Sequence, residues 1–213
     1  MVDRSRNFFE LWGIFLVASW GLLCFALIPV QAATYVEQAR SMLQNLPPGA
    51  SVRPDLEAEL FAQANALRAS RGVGPLVSSD ILKEVAEAQA ADMMLHGYVG
   101  HRSNAGYEFD SRVRFYLGNP PVLPEMGENA ARDTLKGPAD KTKARRLFQQ
   151  WINSRPHYHT LVNSGFKFVS TGVVQRGKDI WAIQVFFAPL PDGIKPSRPP
   201  DSMKPSGEAN TLY

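Results

Sequence analysis

The sequence predicts an α+β fold in which amphipathic helices precede a C-terminal β hairpin. Apolar residues recur every three or four positions in several segments between residues 56 and 152, which is the period of a helix. Two runs rich in β-branched and aromatic residues follow at 166–174 and 180–187. A chain of 213 residues is long enough for one well-buried domain with terminal appendages.

Residues 1–33 predict a signal peptide or a membrane anchor. Arg4 and Arg6 precede an apolar run at 11–30, and small residues up to Ala32 provide a cleavage site. The run also approaches the length of about 20 residues that spans a bilayer, so an uncleaved anchor is the alternative. Both interpretations place the rest of the chain outside the cytoplasm, in the periplasm, the cell envelope or the medium.

Residues 34–53 are expected to be a spacer. A short helix at 35–46 is compatible with this segment, and the Pro-Pro-Gly sequence at 47–49 must interrupt it. The globular domain is therefore predicted at 54–190. The remaining residues, 191–213, are rich in Pro, Ser, Lys and Asp and are expected to be a disordered tail.

The first two helices of the domain have clear ends. The first begins near Pro54 and stops at Gly72, and its inward positions are Leu56, Leu60, Ala64 and Leu67. The second begins at Ser79, which can cap free amides, and closes at Gly97. His96 lies in its last turn, where a positive charge is favourable, and is interpreted as a cap.

A third helix is predicted at 108–117, and a stiff, Pro-rich connection at 118–124 follows it. This connection leads into the Gly-Glu-Asn sequence at 127–129, which is expected to form a short strand or turn. A fourth helix opens at Asp140 or Thr142.

The fourth helix cannot extend past the Arg-Pro sequence at 155–156, so His157 is expected just beyond its C-terminal end. The hairpin comes last, and its turn is predicted at 175–179.

Composition excludes several classes of protein. The net charge of +3 is mild and no dense Lys/Arg stripe with interleaved aromatics occurs, which argues against a nucleic-acid binder. The basic cluster is interpreted as a solvated helix face and consists of Lys141, Lys143, Arg145 and Arg146. Cys24, the one cysteine, lies in the leader, so the rest of the chain offers neither a disulfide nor a thiolate nucleophile.

Two imidazoles and one carboxylate form the candidate site: His101, Glu128 and His157. These groups coordinate divalent metals or move protons near neutral pH, and together they can hold Zn²⁺ with one position open. No H-E-x-x-H helix occurs, however. The structural alternative is that both histidines hydrogen-bond to Glu128 and to backbone groups, tying loops over the sheet.

Three motifs occur in one order: Gly-x-x-Gly-His ending at His101, Gly-Glu-Asn at 127–129, and Trp-x-Asn-Ser-x-x-His from Trp151 to His157. In this order and spacing the sequence resembles the CAP superfamily of cysteine-rich secretory proteins, antigen 5 and pathogenesis-related proteins, and most of all its disulfide-free bacterial branch. The resemblance covers about 55–190 and implies a three-layer α-β-α sandwich.

The resemblance also implies a cleft built from two histidines and two acids. By the motifs, these positions are His101, Glu128 and His157, with Ser154 where the family usually has its second acid. This departure puts in doubt any acid–base scheme that needs two carboxylates. Some family members are described as binding divalent cations at the histidine pair. His101 and His157 are accordingly the expected metal residues, with Zn²⁺ or another divalent cation as the cofactor.

The expected function is that of an exported, non-enzymatic module that binds a lipid, a sterol or a partner in the envelope. The lipid class comes from the resemblance alone. The alternative is a metal-assisted hydrolase or protease that acts on peptide or cell-wall substrates and uses Glu128 catalytically. A structural envelope protein held near the membrane by its leader is the third hypothesis.

A serine hydrolase is not expected, because Ser103, Ser111 and Ser154 lack the Gly-x-Ser-x-Gly elbow. His159 is interpreted as a surface residue.

Overall fold

The computed structural model describes residues 27–191, with side chains from residue 35 onward. The helices and strands of this part, in chain order, are α1 Leu27–Gln44, β1 Ala50–Val52, α2 Pro54–Ser70, β2 Val77–Ser78, α3 Lys83–His96, α4 Phe109–Tyr116, β3 Met126–Asp133, α5 Lys141–Asn153, α6 Arg155–Val162, β4 Phe168–Arg176 and β5 Asp179–Phe187. None of the described helices is long and apolar enough to cross a membrane. The predicted leader up to residue 26 and the tail from residue 192 lie outside the described residues.

The strands form one mixed sheet with the order β1-β4-β5-β3, and β2 pairs with β4 in parallel. The long strands β3, β5 and β4 are antiparallel neighbours. One hydrophobic cluster joins α1, α3 and α4 to one face of the sheet, and a second joins α2, α5 and α6 to the other. The predicted α+β class and the three-layer arrangement are therefore confirmed.

Close contact between α3 and β4 depends on Gly172. A Cβ at this position would stand 2.7 Å from the carbonyl oxygen of Ala86 and closer still to the amide nitrogen of Glu87. Small residues of α3, among them Ala90 and Ala91, complete this face and are fully buried. The alanine-rich helix predicted from the sequence thus rests almost directly on the strand.

Replacing Gly172 by Ala is expected to destabilise the protein by about 1–3 kcal/mol, because the added methyl group has to push the α3 backbone away from β4. Urea unfolding measures this change. The control is Gly74→Ala, since a Cβ at Gly74 meets nothing within 4 Å. Equal midpoints for the two variants would contradict the proposed close packing.

The segment 34–53 is not a spacer. Helix α1 packs on α3 and α4 through the buried side chains of Tyr35 and Val36. Arg40 forms an ion pair with Glu84 at 2.7 Å, and β1 pairs with β4. The prediction was wrong because the partners that bury this segment lie far away in sequence.

Helix α3 begins at Lys83 and not at the predicted Ser79. The amide of Ser79 donates to Val169 O at 2.9 Å, which continues the pairing of β2 with β4. The predicted end is correct, since Gly97 closes the helix with φ +73°. The hairpin turn is also tighter than predicted, because Arg176 and Asp179 pair directly.

The chain does not leave helical structure at the Arg-Pro sequence. Ser154 ends α5 and precedes α6, which contains Pro156 in its first turn. Proline is favoured there because the first amides of a helix have no intrahelical acceptor. His157 therefore lies in the first turn of a new helix, and the prediction that it lies in a bend after a helix was wrong.

The basic cluster on α5 is only partly a solvated face. Lys143 is 2% exposed and its Nζ donates to Leu135 O at 2.8 Å and to Lys178 O. Arg146 pairs with the buried carboxylate of Asp133 at 2.5 Å. The interpretation of all four residues as solvated was therefore wrong for Lys143, which fastens two loops to the helix.

Two carboxylates share one lysine between α2 and α3. Lys83 Nζ lies 3.3 Å from Glu57 Oε2 and 3.8 Å from Glu87 Oε1. Burial, followed by the negative charge of Glu57, raises the pKa of Glu87 to about 8. The folded protein therefore holds a proton here more tightly than the unfolded chain does.

Because the folded pKa of Glu87 lies above its ordinary value, the free energy of unfolding should fall as pH rises from 4.5 through about 8. We expect Glu87→Gln to reduce this fall. Urea unfolding at about pH 5.5 and about pH 8.5 measures the difference. The control is Glu108→Gln, whose carboxylate is 62% exposed. The same pH dependence in wild type and Glu87→Gln would contradict the assignment.

Candidate functional site

His101 and Glu128 meet where the loop after α3 crosses the start of β3. His101 Nδ1 lies 3.0 Å from Glu128 Oε1. The imidazole is half-exposed, whereas the carboxylate is almost completely buried. The contact fixes the ring through Nδ1 and leaves Nε2 directed away from the carboxylate.

Arg112 of α4 holds the same carboxylate from the other side. Its Nη2 donates to both oxygens of Glu128, at 3.0 and 2.8 Å, and to His101 O at 3.0 Å. Arg112 has no exposed surface. Both oxygens of Glu128 are therefore occupied by protein donors, and its charge is compensated inside the protein.

Sequence reasoning missed this role of Arg112. Arg112 pairs with Glu128 and not with the neighbouring Asp110, whose Oδ1 accepts from the amide of Ser111 at 2.8 Å. A signal was present in the helical spacing, since Arg112 directly precedes the inward Val113 and lies four positions before the buried Tyr116. An arginine on the apolar face of a helix indicates buried acceptors elsewhere in the fold, either a carboxylate, as for Arg112, or carbonyl oxygens, as for Arg68.

His157 reaches the site from α6. The centroids of its ring and of the His101 ring are 6.2 Å apart. Its main-chain oxygen accepts from Nδ2 of the buried Asn129 at 3.1 Å, which fixes the first turn of α6 against β3. Of the two histidines, His101 alone contacts Glu128, so the structural alternative describes only half of the pair.

The two histidines differ in basicity. The hydrogen bond to Glu128 raises the pKa of His101. Burial lowers the pKa of His157, and the positive charge on His101 lowers it further. The pKa of His101 therefore lies above that of His157. Because the pKa of His101 is raised in the folded protein, the His101–Glu128 contact makes its full contribution to the free energy of unfolding below pH 6.5. This contribution is lost as pH rises through the folded pKa.

NMR titration of the imidazole resonances should show His101 titrating above, and His157 below, the ordinary histidine pKa of about 6.5. In Glu128→Gln the pKa of His101 should fall, since the carboxylate that favours its protonated form is gone. The reverse order of the two pKa values in the wild type would contradict this geometry.

A groove adjoins the histidines along the outer edge of β3, with a volume of about 450 Å³. It is lined by Val99, by residues 130–135, and by Gln150, Trp151, Ser154 and His157. Ser154 and His157 thus belong to the groove, whereas His101 and Glu128 lie beside it. The four residues expected in one cleft are therefore divided: Ser154 and His157 line the groove, whereas the half-exposed His101 contacts the buried Glu128 beside it.

The donor set limits how a metal can bind. Within residues 27–191, no group of three or more His, Cys, Asp or Glu side chains is close enough to hold an ion. The nitrogen donors available at this site are the imidazoles of His101 and His157, and Glu128 orients the imidazole of His101. A carboxylate that orients a ligating histidine through its other nitrogen is common around protein-bound metals. An ion at this site would therefore be held by His101 and His157 and completed by water or a ligand.

The other predicted candidates have structural roles. His96 is the last residue of α3, and its Nδ1 lies 2.9 Å from Asp92 Oδ1. Ser103 Oγ accepts from the amide of Tyr107 at 3.0 Å, which closes a loop. Neither side chain lines the groove.

Comparison with known proteins decides the family. The model of the cysteine-rich secretory protein family, CAP, matches residues 61–186. The chain belongs to the CAP family. The predicted resemblance is thereby confirmed, and a single cysteine fits the disulfide-free branch. No curated protein matches the chain.

Two solved structures share the fold of this CAP domain. An extracellular protein containing an SCP domain from Bacillus anthracis matches with a TM-score of 0.52 and 21% identity, over 63% of this chain and 41% of that one. An outer surface protein from Borrelia burgdorferi matches with a TM-score of 0.54 and 17% identity, over 63% of this chain and 93% of that one. At these identities the similarity shows the fold alone.

Proposed function

We propose that the protein is an exported, non-enzymatic ligand-binding module of the CAP family. In this proposal the groove beside β3 takes a component of the envelope, and His101 and His157 hold a divalent cation next to it. Export is supported by the predicted leader and by the extracellular and outer-surface relatives.

The contacts of the buried Glu128 carboxylate with Arg112 and His101 support the proposal that the protein is not an enzyme. A general base must lie within reach of a substrate proton, and the Glu128 side chain is only 1% exposed. Both oxygens of Glu128 accept from Arg112, and Oε1 also contacts His101. The carboxylate therefore serves to orient His101, and this is the main argument against the metal-assisted hydrolase.

The lining of the groove bears on the ligand. Val99 and Leu135 share it with the polar side chains of Thr134, Gln150 and Ser154. Its volume of about 450 Å³ lies in the range of small-molecule sites. A mixed lining favours an amphipathic or polar envelope component over a sterol, because a sterol leaves such polar groups without partners.

Zn²⁺ is the probe for the histidine pair. Isothermal titration at neutral pH should show binding to the wild-type chain and its loss in a His101→Ala, His157→Ala double variant. Glu128→Gln should weaken binding by about 10- to 100-fold, as expected when an orienting carboxylate is lost. A bound divalent ion would supply positive charge and open coordination positions beside the groove.

His159→Ala is the matched control, because this exposed histidine lies on the same helix two residues after His157. It should leave Zn²⁺ affinity unchanged. Equal affinity in the wild type and the double variant would contradict the metal site and leave the groove as the remaining part of the proposal.

A further inference from the structure

The outer edge of β3 can be assigned from the sheet register. Among the described strands, β3 has a strand neighbour on one side only. Arg176 and Asp179 pair directly across the hairpin turn, so the main-chain groups of Asp179 face β4. The main-chain groups of successive residues in a strand point to opposite sides. Those of Ile180, the next residue of β5, therefore face Asp133 in β3. By the same alternation, the main-chain groups of Ala130 and Arg132 point away from β5.

An independent contact supports this assignment. Gln150 Nε2 of α5 donates to Arg132 O at 3.0 Å, from outside the sheet. Ala130 is 5% exposed, and no hydrogen bond joins its outward amide or carbonyl to another residue of 27–191. Buried main-chain groups normally have a partner, because leaving them unpaired costs their full desolvation. The edge at Ala130 can therefore accept a hydrogen-bonding partner from the groove.

The groove offers more than this edge. Val99 and Leu135 line it and are 42% and 61% exposed, so apolar side chains are accessible from the groove. Arg132 is exposed and positive, whereas the negative Asp133 is buried and neutralised by Arg146. The accessible surface therefore combines main-chain donors and acceptors, apolar side chains and a positive charge.

We propose that this groove binds an extended, acidic polypeptide segment that adds to β3 as a further strand. The inference rests on the proposed function, because it narrows the ligand of the same groove to a peptide. Ala130 presents its amide and carbonyl, and Arg132 presents its amide, at the two-residue strand repeat of about 6.7 Å, which any extended peptide can match. Arg132 O is already held by Gln150 Nε2. Val99 and Leu135 contact its apolar side chains, and Arg132 pairs with an acidic one.

Charge decides between a peptide and a second copy of the chain. Pairing two β3 edges would bring the exposed Arg132 of each copy to one small surface, with the exposed Lys136 close by. Like charges across a strand pair are destabilising. An acidic peptide meets the same surface with the opposite sign.

The test uses the full chain and a short, acetylated, fluorescein-labelled peptide of alternating valine and glutamate. The comparison peptide has the same sequence with N-methyl groups on alternate amides, which removes main-chain donors and keeps the charge. Fluorescence anisotropy should show at least about tenfold weaker binding of the methylated peptide. Equal affinities, or no binding of either peptide, would overturn strand addition.

Two variants locate the binding. Ala130→Pro removes one outward amide at an edge position, where proline is tolerated, and should weaken binding about tenfold. Arg132→Glu keeps the edge and should reverse the preference towards a valine–lysine peptide. Lys167→Glu, an equal change of charge at an exposed position outside the groove, should leave binding unaltered. Unchanged peptide preference in Arg132→Glu would overturn the proposal even if Ala130→Pro does not fold.

The same titrations with EDTA and with Zn²⁺ separate this inference from the metal site. Peptide binding without Zn²⁺ binding would support strand addition and would contradict only the proposed metal site at His101 and His157. Zn²⁺ binding without peptide binding does the opposite. Sedimentation velocity adds one further outcome: self-association that Ala130→Pro abolishes would identify a second copy as the occupant and overturn the peptide.

Discussion

The buried ion pair between Arg112 and Glu128 is the interaction on which the site depends. Their side chains are 0% and 1% exposed. Taking two such charges out of water is costly, and their attraction repays the cost only when further hydrogen bonds complete the geometry. Here Glu128 also meets His101 Nδ1, and Arg112 Nη2 also donates to His101 O. Nε and Nη1 of Arg112 are buried without a hydrogen-bond partner among the described residues. Removing one charge would leave the other buried without compensation. The loop that carries His101 is held by both residues, since Glu128 contacts its ring and Arg112 donates to its main-chain oxygen.

This ion pair also explains why α1 belongs to the domain. Arg112 lies on α4, and α1 packs on that helix through the buried ring of Tyr35, whose centroid lies 5.5 Å from that of the Phe115 ring. Burial raises the pKa of Tyr35 to about 12, against the opposing charge of Arg112. A helix that was expected to be a spacer thus keeps water away from the charges that orient His101.

The sequence predicted those features whose causes are local. Helix α5 begins where Asp140 can accept from the amide of Lys143, and α3 ends at a glycine that adopts positive φ. Features that depend on distant partners were missed. The acid that pairs with Arg112 lies on another element, and Pro156 has the same local preference whether it stops one helix or opens the next. The order of the motifs indicated which groups approach each other. The sequence could not show that Ser154 and His157 line the groove while His101 and Glu128 lie beside it, because this depends on packing.

The Gly-Glu-Asn sequence can be understood from the alternation of side chains along β3. A Cβ at Gly127 would stand 3.0 Å from Thr160 Cγ2, so glycine lets α6 approach the strand. Glu128 points to the opposite face, where it holds His101, and Asn129 returns to the α6 face, where it holds the main chain of His157. Three consecutive residues therefore position both histidines from the two sides of one strand.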